Sequence, residues 1–248
     1  MILSDAHRNQ FERDGFCVLE RVIPPEDLAM LDDSCQSYLD EHTELMERVQ
    51  AKVLGLSHQG RRYFLPTRHD AEAAMEKFLF GEPMAEIVGG LLGGDAYLFL
   101  QLFIVKSSRT GMPFGWHQDS GYLMGQPHEP YISLWCALDD ATADNGALHV
   151  LPWSQTGTRE IAPHHKDKAS GDLVGYAGED PGIIVPVPRG SIVALSSTLF
   201  HRSGHNVTEH PRRAFLVSYS PHPVANSQGG LWNQAAPFLK NGARVDEP

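Results

Sequence analysis

Hydrophobic positions fall into two regimes along this chain. In the N-terminal third they recur at helical spacing. Ser4 is placed to cap a first helix that contains Phe11, and Asp14-Gly15 then turns the chain into a short strand, Phe16-Cys17-Val18-Leu19. Pro24-Pro25-Glu26-Asp27 opens a second helix, whose apolar residues Leu28, Leu31, Cys35, Tyr38 and Leu39 share one face. Residues 50–70 read as an irregular polar segment rich in Arg and His, and residues 71–92 as a further helix ending at Gly93-Gly94. After Asp95 the pattern changes to short β-branched and aromatic runs. The strands predicted are Tyr97–Val105, Tyr131–Leu138, Ala147–Leu151, Ile183–Val187, Ser191–Leu195 and Ala214–Tyr219. Turn signals separate them at Asp144-Asn145-Gly146, Pro188-Arg189-Gly190 and His210-Pro211. Short strands with this punctuation predict a sandwich or barrel: one mainly β domain over 1–248, helical in its N-terminal third, with its β core at about 95–220.

Composition narrows the function classes. Hydrophobic residues make up 42% and charged residues 21% of the 248, the balance of an ordinary soluble globular protein. A net charge of -11 argues against nucleic acid and against an anionic membrane surface, both of which need clustered positive charge. Cys17, Cys35 and Cys136 are too few and too scattered for a disulfide framework or a Cys-x-x-Cys metal site. With no signal-peptide pattern at the N-terminus and no apolar run long enough to span a bilayer, a reduced cytoplasmic setting is expected. The oligomeric state is not readable.

The chemistry concentrates in Gly115-Trp116-His117-Gln118-Asp119 and Phe200-His201-Arg202-Ser203. Two imidazoles and one carboxylate can occupy one face of an octahedral metal and leave the other open, the ligand set of non-haem Fe(II) oxygen chemistry. On a regular strand His117 and Asp119, two apart, point to one side. A second His-x-Asp, His165-Lys166-Asp167, reads as solvated loop, so the short motif alone is about as often chance as function. Arg212, eleven residues after His201, can hold an anionic co-substrate bidentately, with the Ser203 hydroxyl as a further donor.

Together with Phe11–Leu19, Lys106, Trp135–Asp140 and Asn145–Leu148, these blocks resemble the phytanoyl-CoA dioxygenase family of Fe(II)/2-oxoglutarate oxygenases over nearly the whole chain. The resemblance implies a double-stranded β-helix, or cupin-like jelly roll. It implies His117, Asp119 and His201 as iron ligands and Arg212 with Ser203 on the distal carboxylate of 2-oxoglutarate. It further implies Gln101, Lys106 and Ser133 as lining of the co-substrate pocket. The expected reaction consumes O₂, releases succinate and CO₂, and hydroxylates a C–H bond. Desaturation, ring closure and epimerisation stay open. Asp119 stands where related halogenases have a small residue, so halogenation is not expected. Pro152-Trp153-Ser154-Gln155 departs from the family's Pro-Gly-Ser-His and is expected to change a loop near the substrate wall.

The substrate is the least legible part. Trp116, Tyr122 and Trp135, with Phe103 or Phe114, can wall a pocket, and Arg62 or Arg61 can bind a substrate carboxylate. The acidic balance argues against CoA phosphates, leaving a small metabolite, amino-acid derivative or natural-product intermediate. The competing readings are a non-oxidative metalloenzyme on a cupin-like barrel and a binding protein with a vestigial site.

Overall fold

Ser4 caps α1 (Asp5–Asp14): its hydroxyl accepts from the His7 N–H, and the His7 ring accepts from the Ser4 N–H. Gly15 ends that helix at φ 82°, a left-handed position free of penalty only for glycine, and β1 (Phe16–Leu19) follows as the sequence predicts. The computed structural model describes residues 1–70, 72–123, 125–226 and 230–245, with the backbone alone for 233 and 234. The amphipathic run opened by Pro25 is one long helix, α2 (Pro25–Arg48).

The segment expected to be irregular instead forms β2 (Val53–Leu54), β3 (Ser57–His58) and β4 (Arg62–Pro66). Its period-2 pattern was hidden because one face carries Arg62, while Tyr63 and Leu65 on the other face join the core under the helices. The expected helix 71–92 is two helices, α3 (Ala73–Leu79) and α4 (Glu82–Leu91), broken where Pro83 and the Gly81 N-cap restart the chain; Ala71 lies outside the described residues.

The remaining elements are β5 (Ala96–Lys106), β6 (Phe114–His117), a 3₁₀ turn (Asp119–Leu123), β7 (Ile132–Ala137), β8 (Leu148–Leu151), α5 (Trp153–Thr156), β9 (His165–Lys166) and β10 (Leu173–Val174). They continue with β11 (Ile183–Val185), β12 (Ile192–Ser196), β13 (Phe200–Ser203), β14 (Arg212–Ser220), β15 (Pro237–Lys240) and β16 (Ala243–Arg244). Each predicted strand is present within a few residues. β6 and β13, which carry the two histidines, are not among the delimited predicted strands, although His117 and Asp119 were expected to share a strand face: Phe-Gly-Trp-His and Phe-His-Arg-Ser are too short and polar to delimit as strands.

The strands form the two facing sheets of a jelly roll. The larger has the order β1-β12-β7-β14-β5-β4-β3-β2, with β15 also on β5, and the smaller has β11-β8-β13-β6. The helices cover the outer face of the large sheet, where Leu31 and Cys35 of α2 join Phe78, Phe103, Phe215 and Val217 in one core. Phe215 is completely buried, with its ring 4.8 Å from that of Phe103. Between the sheets Trp135, Val193 and Leu195 meet Leu148, Val150 and Val185. Burying an aliphatic side chain of this kind stabilises by roughly 1.5–3 kcal/mol. The three cysteines are buried thiols. Among the described residues no helix is long and apolar enough to cross a membrane.

Candidate active site

The small sheet places His117 of β6 directly opposite His201 of β13, with ring centroids 4.1 Å apart. His117 ends its strand and Asp119 begins the 3₁₀ turn, so the turn, not a shared strand face as expected, swings the carboxylate back toward the rings. Asp119 Oδ1 lies 3.6 Å from both His117 Nε2 and His201 Nε2. One ligand atom from each of the three can be chosen so that all lie within 4.8 Å of one another, close enough to bind one ion. Each imidazole is oriented from behind: Nδ1 of His117 bonds the Gly115 carbonyl at 2.8 Å, and Nδ1 of His201 the Leu199 carbonyl at 3.1 Å. A ring that donates through Nδ1 presents the Nε2 lone pair to a metal.

Electrostatics prepares the same set. Burial pushes His201 down to about 4, with the neighbouring His117 adding to the shift and Asp119 opposing it. Burial alone would raise the Asp119 carboxyl, but His201, His117 and the Ser133 hydroxyl outweigh it and hold it at about 2. At neutral pH His201 is therefore a neutral ligand and Asp119 an ionised one.

Ser133, expected in the co-substrate pocket, has a different position. Its hydroxyl donates to Asp119 Oδ2 at 2.6 Å and lies 2.9 Å from Ser218 Oγ, its partner across β7 and β14. It thereby fixes one carboxylate oxygen and leaves the other to the histidines. Ser133→Ala is expected to weaken metal binding about 10- to 100-fold, the usual effect of losing a partner that orients a ligand. Titration with Fe(II) or Co(II) checks this, and an unchanged affinity would remove Ser133 from the site.

A second group of side chains lines the same cavity. Arg62, Lys106 and Arg212 sit side by side across β4, β5 and β14, at one end of the inner face of the large sheet. All three are essentially fully buried. Arg62 is neutralised: its guanidinium spans both oxygens of Asp172, at 2.5 and 3.0 Å, and also donates to the Pro113 carbonyl at 2.6 Å. Lys106 donates to the carbonyls of Met112 and Gly204, both at 2.7 Å, and burial beside Arg212 and Arg62 depresses its ammonium well below the ordinary lysine range. Arg212 has a single bond, from Nη2 to the Gly146 carbonyl at 3.2 Å, and lies over the Trp135 ring at 5.2 Å. Its Nε and Nη1 are buried without a partner among the described residues. Burial draws it down to about 10, so it remains a cation at neutral pH. Gly146 permits this packing: at φ 88°, a Cβ there would stand 2.7 Å from the Gly204 oxygen and 2.9 Å from Lys106.

The cavity encloses ≈ 350 Å³ and holds the metal triad and the Arg212 guanidinium together. Ser203, Tyr122, Trp135 and Phe114 line it, as expected. Gln101 does not: it faces the helical side of β5 and donates to the Thr67 carbonyl, because beyond the irregularity at Phe99 the odd positions of this strand point away from the cavity. Phe103 follows the same parity into the outer core. Trp116 packs with Leu151 and Phe200 on the far face of β6, under the Arg202 guanidinium at 5.0 Å, so it is not a pocket wall. Arg62 borders the cavity but is spent on Asp172, and Arg61 is exposed, which leaves neither built as a carboxylate anchor. Arg213 points outward to Asp139 and Asp32. The Trp153 departure lies away from the metal, over Gly15 and against Arg159. His165 and Lys166, of the second His-x-Asp, are exposed on the β9–β10 hairpin.

Three residues were not singled out from sequence. Gln118, buried between the two ligands, clamps the segment above the site through Glu160, Ala162 and Thr198. Its opposite parity to His117 and Asp119 was the available signal. Asp172 and Ser218 gave none, because their partners lie more than eighty residues away. Asp172→Ala would leave Arg62 charged, buried and unpaired. The expected cost is about 3–5 kcal/mol, roughly a 6–20 °C fall in Tm for a domain of this size. Calorimetry checks it, and a change under 2 °C would mean that the pair is not a net structural contributor.

Comparison with known proteins gives a consistent picture. The model of the family described as phytanoyl-CoA dioxygenase (PhyH) matches residues 11–214. The chain is 29% identical over 144 residues to phytanoyl-CoA dioxygenase domain-containing protein 1 of Mus musculus, a match spanning 56% of this chain and 50% of that protein. It is 22% identical over 278 aligned residues to the Caenorhabditis briggsae homolog, covering 94% of each. Among solved structures, the non-haem α-ketoglutarate-dependent carbocyclase SnoK from nogalamycin biosynthesis superposes with a TM-score of 0.71 at 18% identity, covering 99% of this chain and 94% of that one. At that identity the likeness concerns the fold, a jelly roll.

Proposed function

The chain belongs to the phytanoyl-CoA dioxygenase family, and from that premise we propose that it is an Fe(II)/2-oxoglutarate-dependent oxygenase that hydroxylates a C–H bond of a small molecule. The carrying observation is the Arg212 guanidinium, buried in the triad's own cavity with two N–H-bearing atoms unpartnered among the described residues. A protein leaves a cation in that state only at a cost of several kcal/mol unless an anion completes it. A non-oxidative metalloenzyme on a cupin-like barrel needs no arginine for 2-oxoglutarate.

His117, Asp119 and His201 would hold the iron on one face, with the opposite face turned to the cavity. Arg212 would take the distal carboxylate of 2-oxoglutarate in its planar fork, and the Ser203 hydroxyl would add a donor. Lys106 stands beside Arg212 at the same end, its nitrogen held by the Met112 and Gly204 carbonyls. When bound, iron and 2-oxoglutarate supply the oxygen activation, in which 2-oxoglutarate and O₂ become succinate and CO₂ and one oxygen atom goes to the substrate. The chain's contribution is to orient the co-substrate, present the target carbon and exclude water behind the Gln118-clamped segment. Asp119 occupies the coordination position that a halide would need, which favours hydroxylation over halogenation.

The test is anaerobic addition of Fe(II) and 2-oxoglutarate to the apoprotein, followed by visible absorption. A weak charge-transfer band is expected, and succinate release should follow on admitting O₂. Bound iron with no band would overturn the co-substrate assignment.

A further inference from the structure

Beyond the triad, the cavity changes character. On the inner face of the large sheet, Arg212 and Lys106 mark one end, while Leu102, Leu100 and Phe99 succeed one another along β5 toward the other. There the wall is closed by Leu123 and Tyr131, with Trp232 edge-on to Phe99 at 6.0 Å and Tyr131 edge-on to it at 4.9 Å. Of the charged residues bordering the cavity, Arg62 has its charge paired with Asp172, and Arg202 stacks on Trp116 on the opposite face of its strand. The others are the metal ligands and the two cations at the co-substrate end. Among the described residues, none offers an unpaired charge to a substrate at the apolar end. The polar groups there are the Tyr131 hydroxyl, the indole N–H of Trp232 and the Ser218 hydroxyl, the last already bonded to Ser133.

From this arrangement we infer that the substrate is an uncharged, hydrocarbon-rich molecule, seated between Phe99, Leu100, Leu123 and Trp232, with a hydrogen-bond acceptor addressed to Tyr131. The inference rests on the oxygenase reading for the placement of 2-oxoglutarate at the Arg212 end. The physical reason is desolvation. An ammonium or carboxylate entering this end loses its water and finds no counter-charge, whereas a ring or chain gains by leaving water. It excludes free amino acids, whose two charges both need partners, and it turns the sequence-based preference for amino-acid derivatives toward neutral compounds. The cavity of ≈ 350 Å³ must also hold 2-oxoglutarate, so only a small part of a larger substrate can enter, the remainder resting on the half-exposed edge of Trp232.

Three probes sharing one ring test the assignment: methyl cyclohexanecarboxylate, cyclohexanecarboxylate and cyclohexylammonium. Each is titrated calorimetrically into anaerobic protein loaded with Fe(II) and 2-oxoglutarate. The ester is expected to bind at least tenfold more tightly than either ion. Leu100→Asp should abolish ester binding, and Trp232→Ala, at the rim where folding is not at risk, should weaken it at least threefold. Tyr131→Phe should weaken the ester, whose carbonyl can accept from the hydroxyl, and leave cyclohexane binding unchanged. Equal binding of an ion and the ester, no ester binding up to its solubility, or ester binding indifferent to both Leu100→Asp and Trp232→Ala would overturn the inference. The absorption band of the same samples separates the two readings. A normal band without ester preference sinks the substrate class alone. Ester preference without a band leaves the apolar subsite standing and sinks the co-substrate.

Discussion

Replacing Arg212 with Met is expected to lower 2-oxoglutarate affinity by roughly thirty-fold to several thousand-fold, the range of about 2–5 kcal/mol seen when one member of a buried charge pair is truncated. The variant preserves much of the side-chain volume over Trp135 and removes the fork. The effect on the free protein should have the opposite sign. Without the co-substrate, Arg212 is a buried cation with one hydrogen bond, so its removal relieves a desolvation cost and leaves the apoprotein at least as stable as the parent. Ligand-linked stabilisation then separates the two states. At a 2-oxoglutarate concentration of one hundred times Kd the parent gains about 2.7 kcal/mol, or roughly 5–11 °C in Tm, and the variant at the same concentration gains at most about 0.9 kcal/mol. Thermal scans with and without 2-oxoglutarate read both effects. A variant that keeps the full shift would show that the anion binds elsewhere. Arg213→Ala is the control: its guanidinium is committed to Asp139 and Asp32 outside the cavity, and 2-oxoglutarate affinity should be unaltered.

His201→Ala is expected to reduce iron binding and succinate release by at least about a hundredfold, because even the loss of a residue that only orients a metal ligand costs up to that factor. The variant keeps His117 and Asp119 but leaves two ligands for an ion that the structure is built to grip with three. His201 stands against His117 in the centre of the small sheet, so truncation also opens a void beside the ring. Exogenous imidazole distinguishes the two consequences. It can occupy that void and offer a nitrogen, so partial recovery of metal binding is expected if the fold is intact. Full activity in the unsupplemented variant would remove His201 from the ligand set. His165→Ala, at the exposed second His-x-Asp, should leave metal binding unchanged.

The local sequence determined a great deal here. Ser4 and Gly15 bracket the first helix through interactions within one or two turns, and β1, β5, β7, β12 and β14 of the large sheet are legible because each has a run of residues that no helix would bury on one face. The spacing of His117, Asp119, His201 and Arg212 carried the chemical hypothesis because the chain belongs to a family that uses those types at those intervals. What sequence could not decide is which face of an element points where once polar residues are wanted inside. β4 was read as irregular because Arg62 faces inward, and β6 and β13 were not delimited as strands because their inward positions are ligands rather than aliphatic side chains. Gln101 was expected in the pocket from the family resemblance and Trp116 as a wall beside His117, and the period of two sent both to the opposite side. Sequence thus indicated most of the helices and strands and, through the family resemblance, the jelly roll and the four residues proposed to carry its chemistry. Only the tertiary structure decided that Ser133 serves Asp119, that Asp172 silences Arg62 while Arg212 stays open, and that the far end of the cavity is apolar. Each of those outcomes depends on a partner brought from a distant strand or loop, and pairing across sheets is a property of the folded chain, not of any stretch of it.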